Sequence, residues 1–158
     1  MFLSTRFTAG LIIAAVLTFA GSALAVEGHN HGSAGTLAEL TLNQGAPWAT
    51  DAPLRKGMAG IRDDLAAALP AIHNGTLSAK RYATLAGKMH GHIEKMIANC
   101  KLTPEADAQL HLVLAEVIAA ADLMKSGPDR MSGAVQAIEA LDAYGRHFAH
   151  PGWVSLGH

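Results

Sequence analysis

Between Lys88 and His111 the chain reads KMHGHIEKMIANCKLTPEADAQLH, which gathers His90, His92, His111, Met89, Met96 and Cys100, its only cysteine, into one stretch. Thiolate, thioether and imidazole together suit copper, Cu(I) above all, and imidazole with little carboxylate also suits zinc or nickel. No fixed-spacing motif such as H-E-x-x-H or paired C-x-x-C accompanies these residues, so a site must come from where folding brings the donors. His29 and His31, near the N-terminal side of the chain, add a pair that can take Cu(II) or Ni(II) without any fold. Copper is therefore the expected cofactor, drawn from His92, Met96, Cys100, His111, His150, His29 and His31.

Other chemistries leave no trace. G-x-S-x-G, a phosphate loop and a dinucleotide fingerprint are all missing, and Asp63, Asp64, Glu94 and Glu116 read as a solvated face. No enzyme is expected. C-x-x-C-H is absent too, which excludes the usual covalent haem attachment. The N-G-T at Asn74 matches a glycosylation acceptor, yet it also makes a good helix stop, the reading preferred here.

The first residues, MFLSTRFTAGLIIAAVLTFAGSALA, combine Arg6, an apolar run from Leu11 to Ala20 and a small-x-small ending at Ser22-Ala23-Leu24-Ala25. That is the form of a secretory signal over 1–25, too short in its apolar run for a membrane anchor. A periplasmic or secreted location follows, with a mature chain from Val26 and no anchor after cleavage. The remaining 133 residues suffice for one domain. Loss of Arg6 leaves eleven basic against thirteen acidic residues, a balance that gives no reason to expect nucleic acid or anionic lipid as partner. A lone cysteine forms no internal disulfide, so packing alone must hold the fold.

Four helical segments must position the donors. Residues 26–50, VEGHNHGSAGTLAELTLNQGAPWAT, are rich in Gly and polar residues and read as a flexible tail. After Asp51, a candidate N-cap, Leu54, Met58, Ile61, Leu65, Leu69 and Ile72 fall at helical spacing, and His73-Asn74-Gly75 supplies a stop. A second helix starts near Thr76 or Ser78 and runs to Cys100, with Tyr82, Leu85, Met89, Ile93 and Met96 on one face. Thr103-Pro104-Glu105 is a helix start by cap, proline and first-turn acid. This third helix runs to about Lys125 with a core stripe of Leu110, Leu114, Val117, Ile118 and Ala121. Ser126-Gly127-Pro128-Asp129 breaks the chain, and Met131, Val135, Ile138, Leu141 and Phe148 carry the last helix, which Pro151 stops near Ala149. An all-α, antiparallel up-down-up-down four-helix bundle over 51–153, with a short tail at 154–158, is the simplest architecture. The third helix also sets Ala108, Leu112, Ala119 and Leu123 on its outer side, which suits either a homodimer surface or a face covered by the tail.

Folded that way, the bundle is lopsided. Of the nine histidines only His73 clearly belongs to one end; the other gathers Met58, His90, His92, Met96, Cys100, His111, His147 and His150, with His29 and His31 tethered nearby. Met89, Met96 and Cys100 lie within about 20° of the centre of the second helix's apolar face, where core residues belong, so packing competes with ligation. His92 lies about 60° to one side and His90 about 100° to the other. His111 is level with His92 but on the flank of opposite sign, so either a cross-helix pair or a core histidine with satisfied nitrogens is open. His150 before Pro151 is either a cation favouring the last helical carbonyls or a ligand reaching over the bundle end.

The runs ALPAIHNGTLSAKRYATLAGK and IANCKLTPEADAQLHLVLAEV, with the closing HPGW, resemble the small exported helical proteins called DnrO-like, over about three quarters of the mature chain. The resemblance implies a periplasmic location and no particular activity. A looser likeness is to the cytochrome b562 fold, which implies haem b between Met58 and His147, with His111 as a substitute that departs from that family's pattern. His147 falls about 180° from the centre of the last helix's apolar stripe, which turns it to solvent. Three functions follow as expectations: a non-enzymatic copper-binding bundle for storage, delivery or protection; a haem b or gas-binding carrier; and a cofactor-free bundle acting through a protein partner.

Overall fold

The computed structural model describes residues 34–157, which belong to the second of two units into which the chain divides, His31–His158. The expected signal and the histidines His29 and His31 lie outside the described residues. Four long helices follow a single short turn: α1 (Ala34–Leu37), α2 (Ala52–His73), α3 (Ala79–Asn99), α4 (Pro104–Ser126) and α5 (Arg130–His147). Among the described residues there is no strand, only isolated bridges between Asn43 and Ala46 and between Trp48 and Phe148. No described helix is long and apolar enough to cross a membrane.

Each long helix begins on a side-chain cap. Asp51 accepts from the Leu54 amide at 2.8 Å, Ser78 from Arg81 at 3.3 Å, Thr103 from Ala106 at 3.3 Å and Asp129 from Ser132 at 3.1 Å. Such a cap stabilises a helix by about 1 kcal/mol because it satisfies one of the amides that no helical carbonyl reaches. At the far end of α2, Asn74 is the C-cap and Gly75 takes φ +63°, a left-handed turn that glycine adopts without Cβ strain. Cys100 caps α3 instead of continuing it, its amide donating to the Met96 carbonyl at 2.8 Å.

Burial follows the helical period. Leu54, Met58, Ile61, Leu65, Ala68 and Ile72 of α2 meet Tyr82, Leu85, Met89, Ile93 and Met96 of α3, and Leu110, Val113, Leu114, Val117, Ala121 and Met124 of α4, in one core. Consecutive helices pack on one another and α2 also packs on α5, so the four enclose a common interior. Ala68 replaces Leu69 in the core, the latter being half-buried.

Two sequence expectations are corrected. The last helix does not bury Met131 and Val135, which are 45% and 44% exposed; its inward face is Gly133, Ala134, Ala137, Ile138, Ala140, Leu141, Ala143 and Tyr144. Close approach explains the small residues. A Cβ on Gly133 would stand 2.8 Å from the Ala120 carbonyl oxygen and 2.9 Å from the Met124 amide, so α5 lies almost backbone to backbone on α4. The second correction concerns the supposed flexible tail. From Thr36 to Thr50 it forms a strap: Leu40 is buried, and Leu37 and Trp48 pack on the core. The Trp48 amide donates to the His147 carbonyl at 2.7 Å and its carbonyl accepts from Ala149 at 2.8 Å, while the Thr41 amide donates to Gln109 Oε1 at 2.7 Å. Three large apolar side chains, Leu37, Leu40 and Trp48, together with these backbone hydrogen bonds tie the strap to the bundle. The strap and α1 lie against α4; of its outer residues Leu112 and Leu123 are half-buried while Ala108 and Ala119 are exposed.

Candidate functional site: the groove between the second and third helices

Small residues along α2 open a groove against α3. Ala52, Pro53, Gly57, Ala59 and Gly60 form one wall, and His92, Met96 and Asn99 the other, around about 790 Å³ of accessible space. Two glycines make this possible. A Cβ on Gly57 would stand 3.1 Å from Met96 Sδ, and one on Gly60 would stand 2.4 Å from His92 Cε1 and 2.6 Å from its Nδ1. The imidazole therefore lies directly over Gly60, and the thioether of the buried Met96 sits in the notch left by Gly57.

His92 is held from behind. Its Nε2 meets Asp64 Oδ2 at 3.1 Å, and Lys88 donates to Asp64 Oδ1 at 2.7 Å. Burial works against the Asp64 charge, but the hydrogen bonds from Lys88 and His92 outweigh it and keep the carboxyl below its ordinary range. An ionised Asp64 only accepts, so Nε2 carries the proton of a neutral His92 and Nδ1 is left as a lone pair. No described protein group is bonded to that Nδ1. A carboxylate fixing one nitrogen of a histidine while the other is free is the arrangement that orients imidazole ligands in metal sites.

The remaining candidates are dispersed. Cys100 Sγ donates to Asp51 Oδ1 at 3.5 Å, and burial, reinforced by the nearby Asp51 charge, pushes the thiol up to about 11. It is a thiol at neutral pH, not a thiolate. Asp51 also receives the Lys101 amide, tying the start of α2 to the chain leaving α3. His111 is exposed, its Nδ1 2.8 Å from the Asp107 carbonyl oxygen, so neither the core histidine nor the His92 pair forms. His90 turns to the other flank of α3 and meets Asp122 of α4 at 3.1 Å. His150 Nδ1 and Tyr144 Oη share a hydrogen bond of 3.0 Å inside an aromatic group with Trp153. Among the described residues, no three His, Cys, Asp or Glu side chains stand together as a metal-binding group. Of the donors expected from the sequence, His92 and Met96 line one groove together.

The haem pair does not fit as packed. Met58 is fully buried within the core stripe of α2, and His147 Nδ1 is engaged with the Ala143 carbonyl oxygen at 2.8 Å. Neither lines the α2–α3 groove.

Sequence reasoning missed Asp64 and both glycines. Asp64, which by sequence reads as part of a solvated face, is the anchor of His92; Glu116, of the same expectation, is buried and accepts from Gln136 at 3.0 Å. The available signal was G-M-A-G at Gly57–Gly60, two missing side chains a turn apart on one helix.

No family model, curated protein or solved structure matches the chain. The DnrO-like and cytochrome b562 resemblances are thus neither supported nor opposed by relatives.

Proposed function

We propose that the chain is an exported, non-enzymatic protein that binds a soft transition metal, copper first, in the α2–α3 groove, for storage, delivery or protection. His92 Nδ1 and Met96 Sδ are its protein donors. One observation carries this reading: Asp64 holds His92 by Nε2 and leaves Nδ1 without a protein partner, on the same α3 wall of the groove that the Met96 thioether also lines. Imidazole and thioether together favour Cu(I) over Zn(II) or Ni(II).

The helices run up-down-up-down in this proposal. Contacts between the start of one helix and the end of its neighbour support that course: Gly57 with Met96, Asp51 with Lys101, and Gly133 with Ala120 and Met124. A homodimer through the outer side of α4, where Ala108 and Ala119 are exposed, stays open beside the face covered by the strap.

Competition for Cu(I) against a colorimetric chelator tests the site. In a background of His29→Ala and His31→Ala, which removes the separate histidine pair, the combined change His92→Gln and Met96→Leu is expected to weaken binding at least tenfold, about 1.4 kcal/mol. Equal competition by parent and variant would remove the groove as the site.

A further inference from the structure

The α2–α3 groove is far larger than a bare metal ion needs, and its charges are unbalanced. Lys56 and Lys95 stand on opposite helices at its rim, both exposed. Neither side-chain ammonium has an ionic or hydrogen-bonding partner among the described residues. The acid that lines the groove, Asp63, is already paired with Arg62 at 2.7 Å. Asp64 lies outside that lining and is taken by Lys88 and His92. Inside the cationic rim, Ala52, Pro53, Gly57, Ala59, Gly60 and Met96 supply an apolar floor. An apolar cleft of several hundred Å³ with a few converging polar groups is the usual form of a small-molecule site.

We propose that this groove binds a small amphiphilic carboxylate, its anionic head between Lys56 and Lys95 and its apolar body along the small-residue floor of α2. The charge selects the head: two unpaired ammonium groups attract an anion and leave a cationic or neutral head without compensation. The floor selects the body, because each methylene laid on it leaves water. His92 and Asn99 also line the groove, the Asn99 amide nitrogen donating to the Lys95 carbonyl at 2.7 Å. This inference goes beyond the metal reading and stands without it, since it rests on groove size, the apolar floor and the unpaired lysines.

Isothermal titration calorimetry with decanoate below its micelle concentration, on protein dialysed against a chelator, tests it. Saturable one-to-one binding is expected for the parent, with at least tenfold weaker binding by a Lys56→Gln, Lys95→Gln variant. A control of equal charge change away from the groove, Lys80→Gln with Lys125→Gln, is expected to bind within twofold of the parent. Ala59→Trp, which fills the floor, is expected to abolish binding while circular dichroism stays helical. Absence of saturable binding by the parent, or equal affinity of the two double-lysine variants, would overturn the proposal. Neither result touches Cu(I) binding, which is measured separately on His92 and Met96.

Discussion

Asp64 and His92 form the hinge of the site: the Asp64 carboxylate holds His92 Nε2 at 3.1 Å with one oxygen and receives Lys88 at 2.7 Å with the other. The two residues sit on different helices, so the pair both joins α2 to α3 and decides which imidazole nitrogen is offered to the groove. In the proposed site, metal affinity is thereby linked to a residue that would touch no metal.

Asp64→Ala is therefore expected to leave the helices intact by circular dichroism and to weaken Cu(I) binding by roughly 10-fold or more, the range found when carboxylates behind histidine ligands are removed. Unchanged affinity would mean that His92 needs no orientation.

Gly60→Ala separates site from fold. Alanine favours a helix interior over glycine by about 1 kcal/mol, yet its Cβ would lie 2.4 Å from His92 Cε1, so the ring must leave its place. Thermal stability is expected within about 1 kcal/mol of the parent, while the His92 ring resonances shift and Cu(I) affinity falls. A stable variant with an unmoved ring would contradict the packing described here.

The order of the strap is open to a direct stability measurement. Leu40 is 9% exposed and belongs to the main core, so Leu40→Ala is expected to lower unfolding free energy by about 2 kcal/mol, the low end for a buried leucine. Denaturant melts with unchanged slope would give that value. No change would return 36–50 to the status of a tail.

Those fifteen residues also mark where sequence reading stops. The caps at Asp51 and Thr103 are legible from residue type and the proline that follows, and the stripes of α2 and α3 because large apolar side chains recur at helical spacing, whereas Asp129 reads only as part of a chain break and is the cap of α5. The inward face of α5 is not legible, since alanines and Gly133 carry it and the larger Met131 and Val135 draw the stripe to the wrong side. The strap was hidden because its partners, Gln109 and His147, are distant in sequence. The angular positions of His90 and His92 on opposite flanks of α3 hold, with Asp122 on one side and Asp64 on the other. What spacing could not give was the glycine pair's effect: two absent side chains on α2 decide that His92 and Met96, and not Cys100, face a cavity.

Acid should loosen the C-terminal end first. Burial, with Arg55 adding to it, lowers the His150 pKa below its ordinary 6.5. The unfolded chain then takes up the proton before the folded one, so stability is full above about pH 6.5 and falls as pH drops through the folded value. His150→Gln is expected to flatten the pH dependence of the thermal midpoint between about pH 7 and 5. An unaltered slope would show that His150 titrates alike in both states.

The most direct test of the central claim is a titration of Cu(I) followed by NMR, in protein carrying His29→Ala and His31→Ala. The account expects the His92 imidazole and the Met96 methyl resonances to move together and to saturate at one equivalent, with Cys100, His111 and His150 unmoved. Shifts confined to those three, or no saturable shift at His92 and Met96, would contradict it.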